Sequence, residues 1–123
     1  MKIVETKSAP AAVGPYSQAI SANGFLFTSG QIPLDPVTGQ VQGMGISEQA
    51  EQVMKNLEAV LQAGGSGFDK VVKTTCFLAD INDFAAFNEV YGAYFTGKPA
   101  RSCVAVKALP KGVLCEVEVT AQI

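Results

Sequence analysis

Apolar positions recur along this chain with two different periods, and each change of period marks an element. Residues 17 to 21 (SQAIS) and 24 to 29 (GFLFTS) read as short strands. Asn23-Gly24 between them is a favoured tight-turn pair, so the segment predicts a hairpin. The following QIPLDPVTGQV, with two prolines and a Thr-Gly, predicts an irregular loop. From Ile46 the spacing becomes helical, with Ala50, Val53, Met54, Leu57, Val60 and Leu61 on one stripe. Ser47 is the expected N-cap, and Gly64-Gly65 ends the helix. Residues 70 to 78 (KVVKTTCFL) are rich in β-branched side chains and predict a strand. A second helix then opens at Asn82 or Asp83, shows an aromatic face of Phe84, Phe87, Val90, Tyr91 and Tyr94, and is closed by Gly97 and Pro99. Strands over 101 to 107 and 113 to 121 flank ALPKG. The order of strands, helix, strand, helix and strands predicts an α+β fold, with two helices on one face of a mostly antiparallel sheet.

Composition narrows the function. The 123 residues suit a single domain with one core. They are 48% hydrophobic and only 16% charged, which predicts that part of the surface is covered in an oligomer. No apolar run approaches a membrane span, and Glu5, Lys7 and Pro10 fall where a signal peptide would be apolar. A soluble intracellular protein is the expectation. Net charge is −2 and Arg101 is the single arginine, so no basic patch announces nucleic acid. The absence of histidine removes Ser-His-Asp and Cys-His nucleophile systems and every histidine-containing zinc site. Cys76, Cys103 and Cys115 lack C-x-x-C spacing and read as reduced thiols of a cytosol-like compartment, with neither a disulfide framework nor a structural metal.

The candidate chemistry centres on PARSCVAV. A guanidinium is never neutral, so on an apolar strand it must reach water, an acid or an anion. Strand alternation puts Arg101 and Cys103 on one face, and Glu116 and Glu118 on a common face of the last strand. If those strands pair directly through a turn at Pro110-Lys111, all four share one side of the sheet. Arg101 is then either a bidentate carboxylate clamp beside a glutamate acid/base, or half of a structural ion pair, which is the commoner arrangement by pattern alone. A nucleophilic Cys103 would lack a histidine base, and buried cysteine is usually a small hydrophobe. Gly64, Gly65 and Gly67 follow a helix and lack a phosphate-loop fingerprint, so they read as a cap and turn. Tyr16, after Gly14-Pro15, either packs on the core edge or covers a ligand.

These blocks also carry a resemblance. APAAVGPYSQA, FTSGQIPLDPVTG, KNLEAVLQAGG, VVKTT, INDFAAFNEVY, PARSCVAV and CEVEV occur in the order found in the RidA (YjgF/YER057c/UK114) family of reactive intermediate imine deaminases. The chain resembles that family over essentially its whole length, as a single RidA-like domain of residues 1 to 123. The resemblance implies a chorismate-mutase-like mixed sheet of about six strands, and a cytoplasmic homotrimer with a barrel-like centre and clefts between subunits. It implies hydrolysis of enamine and imine acids, released from threonine and serine by pyridoxal-phosphate dehydratases, to 2-keto acids and ammonia. Carried onto this sequence, Arg101 grips the substrate carboxylate, with the Cys103 backbone beside it. Glu116 orients water and moves protons, Tyr16 closes the cleft, and Ser29 and Gly30 form its wall. The FTGKP connection before Arg101 is shorter than in some members, and Cys115 beside Glu116 is a departure. A trimer that binds keto acids without catalysis is the alternative.

The chemistry suits the composition. An imine carbon is already electrophilic, so hydrolysis needs an oriented water, a proton carrier and an anchor, and no metal or cofactor is expected.

Overall fold

The stripe that begins at Ile46 forms α1 (Ile46–Ala63) in the computed structural model, which describes residues 1–123. Ala50, Val53, Met54, Leu57, Val60 and Leu61 are fully buried along it. Each of the larger aliphatic side chains stabilises the fold by roughly 1.5–3 kcal/mol through the apolar area it withdraws from water. The expected Ser47 cap is corrected. The N-cap is Gly45, in extended conformation and without a side-chain bond, so Ser47 already lies inside the helix. Glu48 supplies the acidic residue that favours the first turn. At the other end Gly64 packs where any side chain would collide, since a Cβ there would fall 2.6 Å from Leu26 Cδ1.

The remaining elements are β1 (Lys2–Val4), β2 (Ala19–Ala22), β3 (Phe25–Thr28), β4 (Val71–Leu78), α2 (Phe84–Tyr94), β5 (Ala100–Ala105) and β6 (Cys115–Gln122). The β2–β3 hairpin turns at Asn23-Gly24 as expected, with φ of 51° and 81°. Asp83 is the N-cap residue of α2 but its side chain caps nothing. Capping has moved one turn earlier, where Asp80 accepts from the Asn82 N–H at 2.9 Å ahead of a 3₁₀ turn.

The six strands form one mixed sheet in the order β1-β2-β3-β6-β4-β5. Every neighbouring pair is antiparallel except β4 and β5. This arrangement rules out the direct pairing of the last two strands on which a common side for Arg101 and Glu116 depended. The α2 crossover lays β5 parallel to β4, and β6 pairs with the opposite edge of β4. The connection between β5 and β6 is accordingly no tight turn, and contains a 3₁₀ turn at Pro110–Gly112 with Lys111 at φ 56°. Arg101 stands opposite Thr74, while Glu116 stands opposite Phe77. Cross-strand partners share a face, and Thr74 and Phe77 point to opposite faces, so Arg101 and Cys103 do not share a side with Glu116 and Glu118.

The helices cover the face that bears Arg101. Leu26, Cys76, Leu78, Val117 and Val119 join α1 and the buried residues of α2 in one core cluster. The other face carries Glu116 and Glu118 among apolar side chains that stay accessible, including Ile3 at 59%, Phe27 at 46% and Val104 at 45% exposure.

Candidate functional site

Glu116 is set in place by a backbone bridge one residue further along. Gln31 N–H donates to the Val117 carbonyl at 2.8 Å, and Val117 N–H returns a bond to Gln31 at 3.1 Å. This pairing lays Gly30 directly beside Glu116. The approach is so close that a Cβ on Gly30 would lie 2.8 Å from the Glu116 carboxyl carbon. Gly30 is needed here for space alone. Ser29 is fixed by two contacts, its N–H donating to the Gln18 carbonyl at 2.9 Å and its hydroxyl to the Ser17 carbonyl.

Tyr16 reaches the same place from the N-terminal segment. Its N–H donates to the Gly14 carbonyl at 2.9 Å, which turns the chain tightly after Gly14 at φ 149°. The segment is anchored by Gln18, whose buried side chain accepts from Thr6 N–H at 2.7 Å and donates to the Pro10 carbonyl at 2.8 Å. Tyr16, Ser29, Gly30, Lys111 and Glu116 thus line one cleft of about 500 Å³. Burial, and secondarily the Glu118 carboxylate, push the Glu116 carboxyl up from its ordinary value. A carboxyl raised in this way is suited to carrying protons at a cleft wall.

Arg101 lies elsewhere, on the edge strand and the helix-covered face. Its Nη1 donates to Asn88 Oδ1 at 2.7 Å. The guanidinium carbon stands 4.7 Å from the Tyr91 ring centroid and 5.5 Å from that of Phe84. Phe84, Asn88 and Tyr91 recur at helical spacing, so α2 presents all three on one stripe. Together with Lys98, Arg101 borders a second cavity of about 510 Å³.

Cys103 stands opposite Cys76 on the same face as Arg101. Burial raises its thiol above the ordinary value despite the opposing pull of the Arg101 charge. Cys76 and Cys115 are pushed up to about 12, again chiefly by burial. None of the three is disposed to be a thiolate at neutral pH, and all three are free thiols.

Of the residues singled out in the sequence, the fold brings Tyr16, Ser29, Gly30 and Glu116 into one cleft and holds Arg101 and Cys103 away from it. Reading the sequence missed Asn88 and Lys111. Asn88 could have been found, because it falls between Phe84 and Tyr91 at helical spacing from both. Lys111 could not, since its place beside the cleft depends on how the chain passes from β5 to β6.

Sheet, helices and cleft define a class of small α+β chain that offers a carboxyl and a guanidinium from opposite faces of one sheet. Residues 6–123 match the family model described as endoribonuclease L-PSP, and the chain belongs to that family, the one to which the RidA resemblance pointed. Among its relatives is a cyanobacterial RutC family protein, slr0709 of Synechocystis, 60% identical over 124 residues that cover 98% of this chain and 95% of that protein. The mouse 2-iminobutanoate/2-iminopropanoate deaminase is 49% identical over 121 residues, covering 98% of this chain and 90% of its own length. The crystal structure of E. coli TdcF with bound serine superposes with a TM-score of 0.95 at 42% identity, covering 100% of this chain and 99% of that one. No helix is long and apolar enough to cross a membrane.

Proposed function

We propose that this protein hydrolyses 2-imino and 2-enamino acids, such as 2-iminobutanoate and 2-iminopropanoate, to 2-keto acids and ammonia in the cytoplasm. The observation that carries the reading is the Glu116 carboxyl, raised by burial and seated over Gly30 in a cleft shared with Tyr16 and Ser29. It is supported by the name of the mouse relative and by the small amino acid in the E. coli structure.

In this reading the guanidinium of Arg101 holds the substrate carboxylate through paired N–H bonds, and the Cys103 backbone lies alongside. Glu116 accepts a proton from water as its oxygen attacks the imine carbon. It returns that proton to nitrogen to give a carbinolamine, then carries the proton of the new hydroxyl to the amine, so that the C=O bond forms as the C–N bond breaks and ammonia leaves. Water and imine become ketone and ammonia with no net change at the carboxyl. Because Arg101 and Glu116 leave one sheet on opposite faces, a small substrate touches both only if a second subunit supplies one of them. A homotrimer packed through the uncovered sheet face would complete such clefts and bury Phe27 and Val104.

The charge pattern disfavours the RNA cleavage suggested by the family's description, since the chain is net negative with one arginine. The test is a threonine dehydratase reaction with semicarbazide as trap. The protein should lower semicarbazone formation and speed appearance of 2-ketobutyrate, and Arg101→Ala should abolish both effects. Binding of 2-ketobutyrate without faster imine hydrolysis would instead mark a keto-acid sensor.

A further inference from the structure

Arg101 occupies an edge strand, partly buried, and a free arginine there would sample many rotamers before meeting a ligand. It is held instead by α2, and the hold has an inner layer. Tyr91, under the guanidinium at 4.7 Å, is buried and packs against Phe95 with ring centroids 4.4 Å apart. Its hydroxyl is 2.8 Å from Thr74 Oγ1, and Thr74 is completely buried. Thr74 in turn is the β4 residue directly opposite Arg101. Arginine, tyrosine and threonine therefore form a closed loop linking edge strand, helix and inner strand.

The polar part of this loop is not needed for a stable core. A buried hydrogen bond is nearly neutral when both partners are replaced by apolar groups of the same shape, and valine and phenylalanine would fit β4 and α2. What the Thr74–Tyr91 bond does is fix where the ring lies. Asn88 occupies one guanidinium N–H, leaving the others for a ligand.

We infer that Tyr91, tethered by Thr74, is a positioning residue that holds the Arg101 guanidinium ready for a carboxylate. The inference rests on the reading of Arg101 as the substrate clamp. It assigns to the buried Tyr91–Thr74 pair a role in ligand affinity that ordinary core packing would not have. Removing the ring face forfeits the cation–π contact and frees the arginine. Affinity for a carboxylate ligand should then fall by roughly tenfold, while a ligand lacking the negative charge should be indifferent.

The experiment measures binding of 2-ketobutyrate and of its neutral amide, 2-ketobutyramide, to the assembled protein by calorimetry. It compares the parent with Tyr91→Leu, Tyr91→Phe, Thr74→Val and Arg101→Ala, each with its thermal midpoint. Tyr91→Leu should weaken 2-ketobutyrate by roughly tenfold and leave the amide unchanged, whereas Tyr91→Phe, which keeps the ring, should stay within about threefold of the parent. A purely structural tyrosine would lower the midpoint without separating the two ligands, and that result overturns the inference. So does unchanged 2-ketobutyrate affinity in a folded Tyr91→Leu. If Tyr91→Leu does not fold, Thr74→Val decides, with a two- to threefold loss confined to the anion on the order expected for a loosened ring, and no loss as refutation. Unchanged binding in Arg101→Ala would refute the clamp itself, a separate failure from that of Tyr91.

Discussion

Replacing Gly30 by alanine displaces the proposed acid/base group without changing its chemistry. Gly30 does not use left-handed backbone, so alanine strains nothing in the main chain. The new methyl, however, would stand 2.8 Å from the Glu116 carboxyl carbon, where ordinary contact begins at 3.4 Å. The carboxyl must retreat by at least 0.6 Å, and the oxygen nearest the methyl by more. A misplacement on the order of an ångström costs about 10²-fold in rate, so Gly30→Ala should slow imine hydrolysis by roughly 10- to 100-fold, or about 1.4–2.8 kcal/mol. Stability should move the other way. Alanine restricts the unfolded chain more than glycine does and typically adds about 0.4–1 kcal/mol where the native backbone accepts it, part of which the shifted glutamate consumes. The assay pairs the semicarbazide competition with thermal unfolding. A slower enzyme with an unchanged or higher midpoint supports the geometry. Full activity in Gly30→Ala, or a loss of rate that merely tracks a fall in midpoint, would refute it.

Glu116 is raised by burial and then by Glu118, so Glu118→Gln should shift the acid limb of the kcat/KM profile to lower pH, read between about pH 4 and 8. A carboxyl whose pKa is higher folded than unfolded destabilises above its folded pKa, and the penalty is relieved as pH falls through that value. Glu116→Gln should therefore raise the melting point at neutral pH, and the gain should fade as pH approaches 4.5. Cys103→Ala should retain activity within about fivefold in the semicarbazide assay, because a raised thiol is no nucleophile and the backbone contact survives. Buried Asn56 donates to the Ile32 and Leu34 carbonyls at 3.1 and 3.0 Å, so Asn56→Leu should cost about 2–4 kcal/mol in denaturant unfolding by orphaning both.

Much of this fold could be read from local patterns. The buried stripe and C-terminal end of α1, the turn at Asn23-Gly24 and the strand predicted over 70 to 78 and found at Val71–Leu78 follow from periodicity and turn chemistry alone, whereas the start of α1 falls before the expected cap. Lys2–Val4 escaped notice because three residues are too few to display a period. Strand partners were beyond reach for a different reason. Alternation says which residues share a face within one strand, but not which strand lies alongside, and β4 between β5 and β6 puts Arg101 and Glu116 on opposite faces, where direct pairing would have put them on one. Tyr16 stands out in the sequence after Gly14-Pro15, whereas Ser29 and Gly30 are named only through family resemblance. Their proximity to Glu116 depends on the Gln31–Val117 bridge, a contact between segments remote in sequence.

The position of β6 bears on how the protein is made. It is the last strand in the chain, yet it lies between β3 and β4, and Phe25 pairs with Gln122. A nascent chain lacking those residues exposes two strand edges with no partner for either, so the sheet closes only after residue 122 clears the ribosome. Until then the hairpin and α1 must wait with their apolar faces open, the condition in which newly made chains recruit chaperones. A chain interrupted anywhere before β6 therefore carries the bare edges of β3 and β4 together with those open faces, the form most exposed to aggregation.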